Sequence, residues 1–121
     1  MQSALMIVRI AGIAQVLLGV LIWMGQADGL IPVHMLVGVI FVIGLWILGY
    51  RGVAGGQAIM GTIVLGWGAL VLGLGMIQAQ ILPGPDHVVV QLAHVAMGLL
   101  GMGLAEMLGK RLKGPVEAGA R

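Results

Sequence analysis

The chain contains no cysteine, which excludes disulfides, thiolate metal sites, iron–sulfur clusters and covalent attachment of haem through a C-x-x-C-H motif. Charge is almost as scarce. Only 8% of the 121 residues are Asp, Glu, Lys or Arg, where a soluble domain carries roughly 25% and needs them to cover its surface. Aromatic residues make up 4%. A net charge of only +2 gives no support for a nucleic-acid partner. In place of these residues the chain is 60% apolar, with 22 glycines and a mean hydropathy of +1.14. Together these exclude a soluble globular domain and make lipid the solvent.

The few charges divide the chain into uncharged runs from Ile10 to Ala27, Gly29 to Tyr50, Gly52 to Pro85 and His87 to Ala105. A helix needs about 20 mostly apolar residues to cross a hydrocarbon core of about 30 Å. The expected fold is therefore all-α, an integral membrane four-helix bundle forming one domain over 1–121. Its spans lie near 4–25, 32–50, 57–79 and 87–109, and 112–121 form a flexible tail. Turn-forming residues separate the spans: Gly25 to Gly29 with Pro32, Gly52 to Gly56, and Pro83-Gly84-Pro85-Asp86. Pro32 and Pro85 stand where helices begin and a missing N–H does no harm, and Asp86 is a candidate N-cap. Arg9 followed by an apolar run and Gly25-Gln26-Ala27 also fits a signal peptide; the segment is expected to stay as a membrane span.

Arg9, Arg51, Lys110, Arg111, Lys113 and Arg121 fall at the N-terminus, the second loop or the tail, whereas Asp28 and Asp86 occupy the first and third loops. The positive-inside rule then puts both termini in the cytoplasm. A multi-pass protein of a prokaryotic plasma membrane is the expected setting.

The second and fourth spans share the pattern H-x3-G-x9-L-G-x-R at an offset of 60 residues, from His34, Gly38, Leu48, Gly49 and Arg51 to His94, Gly98, Leu108, Gly109 and Arg111. The first and third align more weakly at an offset of 54, through Gly12/Gly66, Leu18/Leu72, Gly19/Gly73 and Gln26/Gln80. Two repeated hairpins in one orientation imply a pseudo-twofold axis along the membrane normal, which gives the two histidines equal depth. His34 lies 17 residues from Arg51, about 25 Å of helix, so both imidazoles belong in the outer half of the bilayer.

An ionisable side chain inside a span faces the bundle interior and marks function by default. Two at repeat-equivalent positions point to a shared ligand. At 100° per residue His87, His94, Gly98, Gly101 and Ala105 form one stripe of the fourth helix, matched by His34, Gly38, Phe41 and Leu45 on the second. Glycine one turn below each histidine leaves room for a flat macrocycle, although small residues also serve close helix packing. Zinc wants three or four protein ligands, and no carboxylate lies at this depth. Haem iron asks only two axial ligands. His34 and His94 are thus the candidate axial ligands of one haem b, with haem o or a as alternatives. Gly38, Gly98, Gly101 and Phe41 line the site, and His87 is a candidate propionate partner or an interfacial residue by the helix start. Arg9 and Glu106 are expected to pair between the first and fourth helices, with Glu106–Lys110 as the local alternative. Gln15 is expected to hydrogen-bond between helices, Met35 and Met97 are outside candidates for axial ligation, Trp23 and Trp46 fit interfacial belts, and Trp67 packs.

A four-helix unit with His34 and His94 toward the outer face of its second and fourth spans resembles one half of heme A synthase, a family of two pseudo-symmetric four-helix halves with compact four-helix members. The resemblance covers about residues 4–111 and implies His34 and His94 as the axial pair. The family's catalytic half carries a Glu three residues before its second-span histidine, where this chain has Ile31, and Gln91 precedes His94; many members also carry a cysteine pair in an outer loop. The likeness is therefore to the non-catalytic half that holds b haem.

The function expected is a b-type cytochrome with no catalytic residues, moving single electrons to or from a quinone or a larger redox complex, with membrane lipid around it and a homodimer as one arrangement. The alternatives are a compact heme A synthase-like enzyme and a cofactor-free accessory subunit of a respiratory or photosynthetic complex. Small multidrug-resistance transporters share the length and span count, but they need a membrane Glu in the first span, where this chain has Gln15.

Overall fold

The computed structural model describes residues 2–114, and Met1 and residues 115–121 lie outside it. Four helices account for nearly all of it: α1 (Gln2–Trp23), α2 (Ile31–Ala54), α3 (Ala58–Ile77) and α4 (His87–Lys113). Short 3-10 turns at Asp28–Leu30 and Gln78–Gln80 lie in the first and third connections. There is no strand among the described residues. All four helices are long and apolar enough to cross a membrane, as the charge spacing predicts. Pro32 sits in the first turn of α2. Asp86 occupies the N-cap position of α4, but its side chain makes no capping hydrogen bond. Leu112 and Lys113, expected in the tail, continue α4; the rest of that tail from residue 115 lies outside the described residues.

Consecutive helices pack side by side and α4 closes the ring against α1. α2 and α4 also touch across the middle, whereas α1 and α3 do not. The bundle is thus a rhombus in section, and the two histidine-bearing helices share its short diagonal. One end carries the start of α1, the α2–α3 connection and the end of α4; this is called the terminal end. The opposite, loop end carries the first and third connections.

Burial is uneven along this axis. The enclosed residues of α1 run from Ala4 to Gly12, those of α2 from Phe41 to Gly52 and, Val90 aside, those of α4 from Gly101 to Gly109. All belong to the terminal half. Leu45, Leu48, Ala105, Leu108 and Val64 are wholly enclosed there. Toward the loop end only Val71 and Val90 fall among the buried side chains. The repeat is visible in this core, because Leu48 and Leu108 occupy equivalent positions with 0% exposure. Ile10, Leu17, Leu36 and Leu100 are among many large apolar side chains on the outer surface, the face a bilayer covers.

Glycine sets the closest approach. A methyl placed on Gly61 would come within 2.6 Å of both the Gly49 carbonyl oxygen and the Val53 backbone nitrogen. α2 and α3 therefore meet backbone to backbone, as small residues permit in lipid, where dispersion contacts replace the hydrophobic drive. The Trp46 indole donates to the Leu65 carbonyl at 3.1 Å and ties α2 to α3, its side chain still partly exposed. Trp67 packs inside and donates to the Met97 carbonyl at 2.9 Å. Trp23 ends α1, half exposed, where an interfacial belt wants it.

Arg9 and Glu106 join α1 to α4 through two hydrogen bonds, Nε to Oε1 at 2.5 Å and Nη2 to Oε2 at 2.9 Å. This is the fork geometry in which guanidinium meets carboxylate most strongly, and the long-range partner wins over Lys110. Pairing matters more for such groups in a span than on a soluble surface, since each alone is costly in hydrocarbon.

Gly61→Ala is expected to force α2 and α3 apart and cost about 1–3 kcal/mol of stability. Gly66→Ala, where a methyl meets open space, is expected to be neutral or to gain up to about 1 kcal/mol from helix propensity. Unfolding midpoints in a detergent titration separate the two, and equal midpoints would refute the close-contact account.

Candidate functional site

His34 lies in the first turn of α2 and His94 two turns into α4, both toward the loop end where the apolar core has given out. Their rings face each other with centroids 6.4 Å apart and planes inclined at 61°. In both rings Nδ1 is enclosed and without a hydrogen-bond partner, whereas the Nε2 atoms are not among the enclosed unpaired ones. Nε2 of His94 lies toward α3, 4.0 Å from where a methyl on Gly75 would stand.

The neighbouring helices seat these rings on glycine. A methyl on Gly19 of α1 would stand 3.5 Å from Cε1 of His34, and one on Gly75 of α3 would stand 3.2 Å from Cε1 of His94. The sequence pattern pairs Gly19 with Gly73, two residues short of the position that meets the ring. Offset alignment cannot reveal which residue of a neighbouring helix comes opposite a given side chain, because that depends on helix rotation and height.

Gly38 and Gly98, one turn below the histidines, differ in what they face. The Gln15 amide occupies the space beside Gly38, its Nε2 falling 2.6 Å from where a methyl carbon would be. Nothing lies within 4 Å of the same point at Gly98. The repeat is thus broken at the site, filled on the α2 side and open on the α4 side. Gln15 was expected to bond between helices, yet its Oε1 is enclosed and has no partner. Beneath both rings Phe41 and Gly101 come together: Phe41 Cζ would lie 3.4 Å from a methyl at Gly101, with Trp67 Cδ1 at 3.3 Å. These aromatic edges form a floor between the histidines and the packed half.

His87 is engaged elsewhere. Its Nδ1 donates to the Ile81 carbonyl at 3.1 Å, bracing a loop in which Leu82 holds a left-handed φ of 47°. Met97 packs against the core, and Met35 is well exposed.

Three enclosed polar atoms without partners, on Gln15, His34 and His94, are unusual, because buried polar groups are nearly always satisfied. Among the described residues no group of three or more His, Cys, Asp or Glu side chains gathers in a metal-binding cluster, so a bare ion would find two ligands at most. Two imidazoles on opposite sides of one metal ion stand with centroids about 6 Å apart, given metal–nitrogen bonds of about 2 Å. The observed separation meets that requirement. Rings bound this way each contain the axial line and can take any mutual inclination. The donor set therefore fits a cofactor that brings its own equatorial ligands. No family model, curated protein or solved structure matches the chain.

Gln15→Leu removes an enclosed, unpaired oxygen and is expected to stabilise the ligand-free chain by about 1 kcal/mol, read as a higher unfolding midpoint in detergent. A lower midpoint would show that Oε1 has a partner in the membrane.

Proposed function

We propose that the chain is a membrane b-type cytochrome that holds one haem between His34 and His94 and passes single electrons. The observation that carries this reading is the pair of half-buried imidazoles, their ring centroids 6.4 Å apart, on the two helices that share the short diagonal of the bundle. Haem supplies a one-electron ferric/ferrous couple when bound. His34 and His94 would hold the haem iron between them, and with both imidazoles engaged the site would favour electron transfer over ligand chemistry. Phe41 and Gly101 bar the way toward the packed half, and a methyl at Gly98 would meet nothing within 4 Å. By the positive-inside rule the loop end faces outward in a prokaryotic plasma membrane, so the site exchanges electrons near the outer surface with a quinone or a larger redox complex. A homodimer is compatible with this role.

The resemblance to heme A synthase makes haem-modifying enzymology the second reading. It is weakened at Ile31, which stands exposed at the start of α2 where the family's catalytic half has its carboxylate. No other Asp or Glu of this chain lies within a turn of His34 or His94 along its helix. A cofactor-free accessory subunit is the third reading.

The test is the reduced-minus-oxidised absorbance spectrum of the purified protein. A six-coordinate, low-spin b-type spectrum is expected, and both His34→Ala and His94→Ala are expected to lower haem retention at least about tenfold. A colourless wild type, or unchanged spectra in both variants, would sink the proposal. Haem o or a in the extracted pigment would favour the enzyme.

A further inference from the structure

The terminal end carries a feature that the haem reading does not use. An open groove of about 480 Å³ at the start of α3 is lined by Ile59, Met60 and Ile63, by Gln57 just before that helix, and by Arg111 from the last turns of α4. Ile59 is 81% exposed, more than any other large apolar side chain described. α4 has 27 residues against 20 in α3, a difference of about 10 Å, and at about 40 Å it exceeds the hydrocarbon core of about 30 Å. The last turn of α4, with Lys110, Arg111 and Lys113, accordingly stands at headgroup height. Ile59 and Ile63, a turn apart on α3, descend toward acyl depth.

Charge at this end is one-sided. Arg9, Arg51, Lys110, Arg111 and Lys113 gather here, and the sole carboxylate among the described residues at this end, Glu106, is held by Arg9. Asp28 and Asp86 lie at the loop end. Arg111 makes no ion pair among the described residues.

The geometry points to a binding site for one anionic phospholipid, its phosphate on Arg111 and Gln57 and an acyl chain along Ile59 and Ile63. Basic pockets at the ends of membrane helices take anionic headgroups in this manner. The groove grades from cationic and amide groups to pure hydrocarbon over about two turns, as a phospholipid does. A second copy of the chain seated in this groove would set its own positive end against Arg111, so the groove does not favour that occupant.

The test is native mass spectrometry of the full chain in neutral detergent, titrated with palmitoyl-oleoyl phosphatidylglycerol or palmitoyl-oleoyl phosphatidylcholine. One retained phosphatidylglycerol per chain is expected, and no equivalent phosphatidylcholine adduct. Arg111→Gln is expected to reduce retention about fivefold, Arg111→Lys to preserve it, Ile59→Ala to weaken it, and Lys110→Gln to change it less than twofold. The Arg111→Lys, Ile59→Ala and Lys110→Gln comparisons keep the test decisive if Arg111→Gln folds poorly. Equal retention of the two lipids, equal effects of Arg111→Gln and Lys110→Gln, or displacement of the lipid by excess sodium phosphate would overturn the assignment.

Discussion

The backbone contact between α2 and α3 at Gly49 and Gly61 governs the rest of the bundle. Here two helices approach through main-chain atoms, leaving no room for even a methyl at Gly61, and this contact lies in the terminal half. Leu45, Leu48 and Leu108 then fill the space that remains. Lipid offers no hydrophobic penalty for separating helices, so tight packing has to come from shape. One firmly joined half allows the other to remain incompletely filled without loss of the fold. The histidines stand in that second half, above the Phe41 and Gly101 floor.

The rhombic section matters equally. Had α1 and α3 formed the short diagonal, the repeat would have set two glycine-lined faces against each other and the histidines far apart. With α2 and α4 on it, repeat-equivalent positions become neighbours. The repeat is nevertheless inexact in three dimensions. Gln15 fills the flank beside Gly38 and nothing fills the flank beside Gly98, so a symmetric pair of rings sits in an asymmetric enclosure. A ligand held by both would meet an amide on one side and open space on the other.

Much of this was legible from composition and spacing. Long uncharged runs define helices because a charge inside hydrocarbon is costly, and that rule located all four spans to within a turn or so. The His34–His94 pairing and the Arg9–Glu106 bridge followed from depth: rare polar groups at matching height in a thin bundle have few other partners. What escaped depended on rotation about the helix axes. The bond from Trp46 to Leu65 is one case, because it needs α2 to turn that face toward α3. Gly75, rather than Gly73, meets His94 for the same reason. The lone oxygen of Gln15 could not be foreseen, because hydrogen-bonding capacity is written in the residue type and the presence of a partner is not. The extension of α4 through Lys113 shows the limit of hydropathy, which marks where lipid ends and not where a helix does.

The bridge between Arg9 and Glu106 also sets an order of events. Its two halves are separated by 97 positions, so at translation speeds of roughly 5–20 residues per second the guanidinium is made about 5–20 s before the carboxylate. Throughout that interval the first helix carries an unneutralised cation, which keeps its basic end drawn toward the aqueous border. The Arg9–Glu106 bridge therefore closes only after α4 has been made.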